Sequence, residues 1–263
     1  MLISSKDIRF QCYGEDKNIW KCNKCGLIQL FPQWKENELE KIYTDYHKKL
    51  DFNGQKIIPR NYPNYLSKYI KKTDKILEVG CGEGNIIRQL RQKGYNAIGI
   101  DKDKSVCDEV LIFHKDANNL STCNKFDVIF GLHLLEHISD PCYFLFKLLF
   151  ISKDRLIFEL PNTNDPLLTI YHNEAFNKFY WRPDHLFFYT PQTIKKIFAL
   201  LYKNNLRIKL LQRYGVINHL NWLFRNKPTN INYHIPIIDD IYKFILTKIF
   251  RKSDTMLIIL RRQ

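Results

Sequence analysis

The sequence predicts an α/β fold built on a doubly wound, mostly parallel sheet of seven strands. Three observations predict it. The first is the stretch from Lys75 to Asn85, where a short apolar run, Ile76 to Val79, passes through Gly80, Gly82 and Gly84 into the helical spacing of Ile86 to Arg91. A strand that turns through glycines into a helix is the ligand-binding corner of such sheets. The second is the alternation of short apolar runs with helical segments that follows, the pattern of a mainly parallel sheet. The third is the placement of acids. Glu78 sits inside the first strand, and Asp101 ends the second strand about twenty residues after the glycine turn.

Taken in order, residues 1–60 read as a small cysteine-containing cap and a linker. The cap holds Cys12 and the run Cys22-Asn-Lys-Cys25-Gly-Leu; two-residue spacing lets two thiolates reach one tetrahedral ion. Glu36 to Leu50 has helical character through Leu39, Ile42, Tyr43 and Tyr46, and 51–60 is polar with Gly54 and Pro59. Residues 61–205 form the core. It opens with a helix over Tyr62 to Lys72 and the strand into the glycine turn. Further strands are expected at Tyr95–Asp101, Glu109–His114, Phe126–Phe130 and Arg155–Leu160, with a buried helix from Pro141 to Ile151. Thr190-Pro191 reads as a helix cap and first turn. In residues 206–263, Leu206–Tyr214 and Thr255–Arg262 read as a closing antiparallel hairpin around a helical insertion. The end of that insertion, Ile237 to Lys252, has an apolar face of Ile238, Ile241, Tyr242, Ile245 and Ile249, which predicts a packed surface helix in preference to one lying on a membrane.

The chain has 263 residues and a formal charge of +14. Residues 166–263 carry 16 Lys and Arg against 5 Asp and Glu, so most of the excess lies in the last third. That predicts either a solvated basic surface or an anionic partner. No apolar run is long enough to span a bilayer, and the N-terminus lacks a secretory pattern. Seven scattered cysteines, one of them (Cys81) inside the glycine turn, predict reduced thiols and a cytoplasmic protein.

Glu78-Val-Gly-Cys-Gly-Glu-Gly84 differs from dinucleotide and P-loop turns. A carboxylate in that corner repels a pyrophosphate and suits an amine-bearing ligand, and no Gly-Lys-Ser/Thr follows. The run resembles motif I of the class I S-adenosylmethionine-dependent methyltransferases, whose sheet is Rossmann-like. The resemblance implies S-adenosyl-L-methionine as cofactor, held by Glu78, Gly80, Cys81, Gly82, Gly84, Asp101, Lys102, Asp116, Ala117, Leu132 and His133. Asp101 is placed to accept hydrogen bonds from ribose hydroxyls, and the resemblance sets Asp116 against the adenine amino group. Cys22 to Pro32 resembles the end of the N-terminal zinc segment of bacterial sugar methyltransferases. The upstream half departs from that pattern, keeping only Cys12, so Cys12, Cys22 and Cys25 read as a degenerate site that has lost its zinc. Gln212 to Leu223, Lys227-Pro228 and Ser253-Asp-Thr255 resemble the C-terminal pattern of methyltransferases of surface-polysaccharide biosynthesis.

His133, Glu136 and His137 fall at i, i+3 and i+4 after the fourth strand, on one face if the segment is helical. His185 follows the fifth strand and belongs to the same sheet edge. Three imidazoles and a carboxylate suit a divalent transition metal. Small-RNA and ubiquinone-pathway O-methyltransferases carry Glu-x-x-Glu-His at this place and bind a divalent ion. Here His133 replaces the first glutamate, which favours Mn²⁺, Fe²⁺, Co²⁺ or Zn²⁺ over Mg²⁺. Without metal, His137 or His185 is the expected general base, supported by Glu136. Arg182, Arg213, His219 and Lys227 are candidates to meet an anionic acceptor, and aromatic residues from Tyr171 to Tyr189 are candidates to wall its pocket.

The resulting expectation is methyl transfer, at oxygen, to a sugar, nucleotide-linked or phosphorylated building block of capsule or lipopolysaccharide. Two other readings stay open: a metal-assisted RNA 2′-O-methyltransferase, which would lack a basic, aromatic-interleaved tract, and a non-catalytic S-adenosylmethionine-binding protein.

Overall fold

The structure is a computed structural model that describes residues 2–9, 18–35, 38, 62–121, 125–182, 184–201, 205–229 and 234–262. The expected helix over 36–50, the linker at 51–60 and Cys12 lie outside the described residues, apart from Glu38.

Three strands open the chain: β1 (Leu2–Arg9), β2 (Asn18–Cys22) and β3 (Ile28–Phe31). The core strands are β4 (Lys75–Val79), β5 (Asn96–Asp101), β6 (Ile112–His114), β7 (Phe126–Leu132) and β8 (Ser152–Pro161); a two-residue β9 (Phe187–Phe188) precedes β10 (Leu206–Leu211) and β11 (Thr255–Arg261). Seven of them form one sheet in the order β10-β11-β8-β7-β4-β5-β6. The pairs from β8 to β6 are parallel, and the β10–β11–β8 edge is antiparallel. The predicted seven-stranded, mostly parallel sheet is therefore present.

The middle strands are apolar because helices cover both of their faces. Ile76, Leu77, Val128, Ile129, Phe130, Leu156, Ile157 and Phe158 are all fully buried. The chain winds from β4 through β5 to β6 in one direction, then crosses back to β7 and β8. That reversal opens a crevice at the carboxyl ends of β4 and β7, where ligands of open α/β sheets bind. The helix Pro141–Ile151 is capped by Asp140, whose side chain accepts from Tyr143 N, and Pro141 fills its first turn.

Some boundaries move. The third core strand begins at Ile112, not Glu109, because the Asp108 carboxylate takes the N–H groups of Val110, Leu111 and Ile112 into a local loop. The opening helix is only Tyr62–Leu66, and β10 ends at Leu211. The N-terminal hairpin is joined to the core through β9. β3 pairs with β9 at Ile28↔Phe188 and Gln29↔Phe187, and Ile19 and Leu30 are buried in the same apolar cluster as the sheet.

The insertion ends in Ile238–Phe244, continued by a π-helical turn, Ile245–Ile249. The packed apolar face expected there is realised only at Tyr242 and Ile245, which are half-buried. Ile238, Ile241 and Ile249 are 53%, 56% and 64% exposed. The inward face carries Asp239, Tyr242 and Leu246 instead. The Asp239 carboxylate accepts Val216 N–H at 2.8 Å and Ile235 N–H at 3.0 Å, so hydrogen bonding to backbone, not apolar burial, sets the helix's rotation. Among the described residues, no helix is long and apolar enough to cross a membrane.

Candidate active site

The glycine turn is shaped by its backbone. Gly84 adopts φ +69°, and a Cβ there would lie 2.1 Å from Ile112 Cδ1, so helix and sheet approach too closely for any side chain. Gly82 also has positive φ, +52°, but a Cβ there would meet nothing within 4 Å. Its glycine leaves open space at the sheet edge. Gly82 N–H donates to Asp101 Oδ2 at 2.8 Å, and Asp103 N–H donates to Oδ1 at 2.9 Å. A carboxylate has about four acceptor positions, so Asp101 keeps two for a ligand's hydroxyls. Gly80 and Cys81 both donate to Ile100 O, which holds the turn against β5.

Glu78 is buried, and its Oε2 has no hydrogen-bond partner among the described residues. Burial first, and the Asp101 charge second, push its carboxyl well above the usual carboxylate range. An orphaned buried acid beside a second acid is a ready place for a cation. At the far side of β5, Lys102 Nζ and Asp116 Oδ2 pair at 2.9 Å across the mouth of a cavity of about 590 Å³ that also touches Asn119 and Leu120. Ala117 is buried beside them. The predicted Asp101, Lys102 and Asp116 thus lie at the carboxyl ends of the neighbouring strands β5 and β6. Leu132 ends β7 half-buried.

The segment after β7 is not an α-helix. His133 has φ +52°, and only Leu135–His137 forms a 3₁₀ turn. The i, i+3, i+4 face expected for His133, Glu136 and His137 therefore does not form. His133 turns away, about half exposed, with Nδ1 3.6 Å from Glu136 and Nε2 3.6 Å from Glu159. Desolvation opposes its charge, but the contacts to Glu136 and Glu159 outweigh that and raise its pKa to about 10. The group whose ligand atoms converge is Glu136, His137 and His185, all within 4.8 Å of one another. The set is three residues, not four.

His137 and His185 meet edge to face, with ring centroids 4.9 Å apart. His137 Nδ1 lies 2.7 Å from the Asp184 carbonyl oxygen. His185 is buried, and burial, with His137 and Arg182 nearby, pushes its pKa well below the ordinary imidazole value, so it is neutral. Glu136 is buried with no hydrogen-bond partner to either oxygen among the described residues. Leu186 N–H donates to the Glu136 carbonyl at 2.8 Å and so ties the His185 loop to the 3₁₀ turn. Tyr180, Trp181 and Phe188 pack around this loop.

The cations proposed for an anionic acceptor are mostly engaged. Arg182 makes two hydrogen bonds to Asp184, at 3.1 and 2.9 Å. His219 is buried with Nδ1 2.5 Å from Tyr242 Oη, and burial lowers its pKa to about 4. Arg213 pairs with Glu159 and lies over the rings of Tyr62 and Tyr65, 4.9 and 4.8 Å from their centroids. Lys227 stays exposed.

Glu159 was missed from the sequence. It is fully buried on β8, accepts from Tyr62 Oη and Arg213, and faces His133. Burial opposes its charge, yet these contacts hold its pKa below the usual carboxylate value. The signal was available: an acid inside the apolar strand Leu-Ile-Phe-Glu-Leu repeats the anomaly of Glu78 in β4. Cys22 and Cys25 sit at the turn between β2 and β3; hydrogen bonds from the Cys25 backbone and thiol lower the Cys22 pKa to about 7.

The sheet order, the glycine turn and the acids at the ends of β4 and β5 define a class I methyltransferase. A model for the methyltransferase domain matches residues 53–201, more than half of the chain, and the chain belongs to that family as an S-adenosylmethionine-dependent methyltransferase. It is 26% identical over 232 residues to a ubiquinone biosynthesis O-methyltransferase of Rickettsia bellii, covering 76% of this chain and 94% of that protein. A solved S-adenosylmethionine-dependent methyltransferase of Archaeoglobus fulgidus matches with a TM-score of 0.54 at 19% identity, over 83% of this chain and 99% of that one. A plantazolicin methyltransferase, solved with a triazolic desmethylPZN analogue and SAH, matches with a TM-score of 0.51 at 15% identity, over 87% and 92%.

Proposed function

We propose that the chain methylates a hydroxyl oxygen of a small sugar-containing or nucleotide-linked acceptor, a building block of a surface polysaccharide, in the cytoplasm. The observation that carries the reaction class is the convergence of Glu136, His137 and His185 beside the crevice of β4 and β7. Cys22–Pro32 and the Gln212–Leu223 pattern support the sugar acceptor. The O-methyltransferase relative supports oxygen as the nucleophile.

S-adenosylmethionine, when bound, supplies an electrophilic methyl carbon. The residues fit it. The space at Gly82 admits its backbone-facing side, Asp101 accepts its ribose hydroxyls, and Asp116 and Ala117 border its base. Glu78 lies in the corner with Cys81 packed between it and β5, and the cofactor's positive charge would relieve its desolvation. His137 takes the acceptor's proton at Nε2. The Asp184 carbonyl can only accept, so it fixes the proton of the neutral ring on Nδ1. The buried imidazole of His185 holds the acceptor at the other side. Alignment of nucleophile and methyl carbon supplies much of the barrier reduction.

The same three residues fit a divalent transition ion, with two imidazoles and one carboxylate. Such an ion would bind the acceptor hydroxyl and lower its pKa. The test is methyl transfer from labelled S-adenosylmethionine to three acceptors: a nucleotide-linked sugar, a catechol, and a short RNA. Transfer to the sugar alone supports this reading. Transfer to the catechol alone supports a phenolic acceptor of the kind the Rickettsia relative's name suggests, and removes the sugar reading.

A further inference from the structure

The edge of the sheet opposite the cofactor corner carries a basic concavity. A cavity of about 300 Å³ opens at the amino end of β8, between the turn after the opening helix and the β10–β11 hairpin. Lys68, Arg155, Arg207 and Arg261 line it, with Asn205 and Tyr69. The register builds it. Arg155 stands opposite Arg261 across the β8–β11 pair, and Arg207 stands opposite Ile259, two residues along β11 from Arg261 and so on the same face. Directly paired positions share a face, so the basic side chains of three strands leave the sheet on the same side.

The four cations are not equivalent. Arg155 is buried and spent: its Nε donates to Asp154 at 2.8 Å, its Nη1 to the Tyr69 carbonyl at 2.7 Å, and Asp74 lies 3.8 Å away. It forms a neutralised floor. Lys68, Arg207 and Arg261 have no carboxylate within salt-bridge distance among the described residues, and no acid lines the cavity with them. Three uncompensated like charges around one concavity repel one another, and a bound anion reverses the sign of that energy. Two guanidinium groups are suited to the paired oxygens of a phosphate. The volume exceeds one phosphate and fits a phosphorylated small molecule.

The location separates this site from the reaction. Arg155, near the start of β8, and Pro161 at its end are six residues apart, or about 20 Å. A ligand at Arg207 and Arg261 therefore does not reach His137. We propose that this cavity is an anion site for a small phosphate-bearing molecule that is not the methyl acceptor. It also gives a role to part of the basic excess of the last third, which the residues of the cofactor corner do not use.

The experiment is calorimetric titration and thermal shift of the full chain with inorganic pyrophosphate, uridine diphosphate and a single-stranded oligonucleotide, with and without S-adenosylhomocysteine. Pyrophosphate and the nucleotide are expected to bind saturably at one site and, at a hundredfold excess over Kd, to raise Tm by about 5 °C. Arg207→Glu is expected to weaken binding at least tenfold, as is Lys68→Glu, while both leave S-adenosylhomocysteine binding unchanged. Both residues are exposed, so the folded state survives the changes. Pyrophosphate binding as tightly as uridine diphosphate, and weakened alike by both variants, supports the proposal and places recognition in the phosphate groups. Affinity equal in wild type and both variants, binding only to the oligonucleotide, or no saturable binding up to 10 mM pyrophosphate (roughly the weakest affinity of interest) overturns it.

Discussion

His137 Nδ1 lies 2.7 Å from the carbonyl oxygen of Asp184, in the loop that also carries His185. A carbonyl cannot donate, so this contact places a proton on Nδ1, and in the proposed reaction Nε2 is the nitrogen that takes the acceptor's proton. Replacing His137 by Ala is expected to lower kcat by about 10²–10⁴-fold, the usual worth of a positioned base. S-adenosylhomocysteine affinity should not change. Steady-state kinetics with parallel calorimetry measure both, and an unchanged kcat would remove His137 from the reaction.

Glu136 distinguishes a metal mechanism from a metal-free one. Elemental analysis of the purified protein is expected to find a transition ion near one equivalent if Glu136, His137 and His185 hold it. Glu136→Gln should then lose the ion, and chelation should abolish transfer until Mn²⁺, Fe²⁺, Co²⁺ or Zn²⁺ is restored. Full activity in the presence of chelator assigns the cluster to acid–base work alone.

The two glycines should fail differently. Gly84→Ala places a Cβ against Ile112 in a left-handed backbone, a cost of about 1–3 kcal/mol, read as a drop in Tm of roughly 3–10 °C. Gly82→Ala meets no neighbour, so its stability loss should be smaller, about 1 kcal/mol from its positive φ. Its main effect should be weaker cofactor binding, by tenfold or more. Equal losses of cofactor affinity in both variants would show that Gly82 does not face the cofactor.

Glu159 and Arg213 form a pair whose removal should be non-additive. Glu159→Gln leaves a buried guanidinium without its counter-charge, and a broken buried pair costs about 3–5 kcal/mol. Arg213 keeps about a quarter of its surface in water, so the lower figure applies. Arg213→Met in the Glu159→Gln background should restore part of the loss. Denaturant unfolding of the four proteins gives the coupling energy.

His219 supplies a pH signature. Its folded pKa, near 4, lies below the unfolded value of about 6.5. The unfolded chain therefore binds the proton first, and stability from this group is complete above pH 6.5 and lost as pH falls toward 4. Asp254, raised to about 6 by burial, works in the opposite sense over part of that range. The difference between wild type and His219→Gln isolates the histidine: it should shrink by up to about 3 kcal/mol between pH 7 and pH 4. A pH-independent difference would contradict the burial of a neutral ring.

The sheet was legible because its signals are local. Apolar runs, the glycines and the acids at the ends of strands need no tertiary information. The site was half legible. Residue type and sheet edge pointed to Glu136, His137 and His185, which the structure brings together, but the helical spacing of His133 was not realised, because a positive φ at His133 depends on the turn out of β7. Arg213 reads in the sequence as a candidate for an anionic acceptor, and its pairing with Glu159 is not visible there. Its partner, Glu159, lies 54 residues away in sequence and meets it only across β11. The exposed face of Ile238 and Ile241 was misjudged for the same reason: amphipathic periodicity locates an apolar stripe, while Asp239, bonding to two distant backbone N–H groups, decides which stripe turns inward.

Leu186 joins three parts of the chain through its backbone. Its carbonyl accepts from Leu30 in the N-terminal hairpin, and its N–H donates to Glu136. Two hydrogen bonds thus link the first thirty residues to the histidine pair. The hairpin holds the loop that carries His185, so removing β1–β3 while keeping the opening helix would leave the glycine corner whole but loosen His185 beside Glu136. A fragment of that kind is expected to take up S-adenosylhomocysteine while losing turnover, an outcome that would make the amino-terminal strands part of the catalytic apparatus although they carry none of its reacting groups.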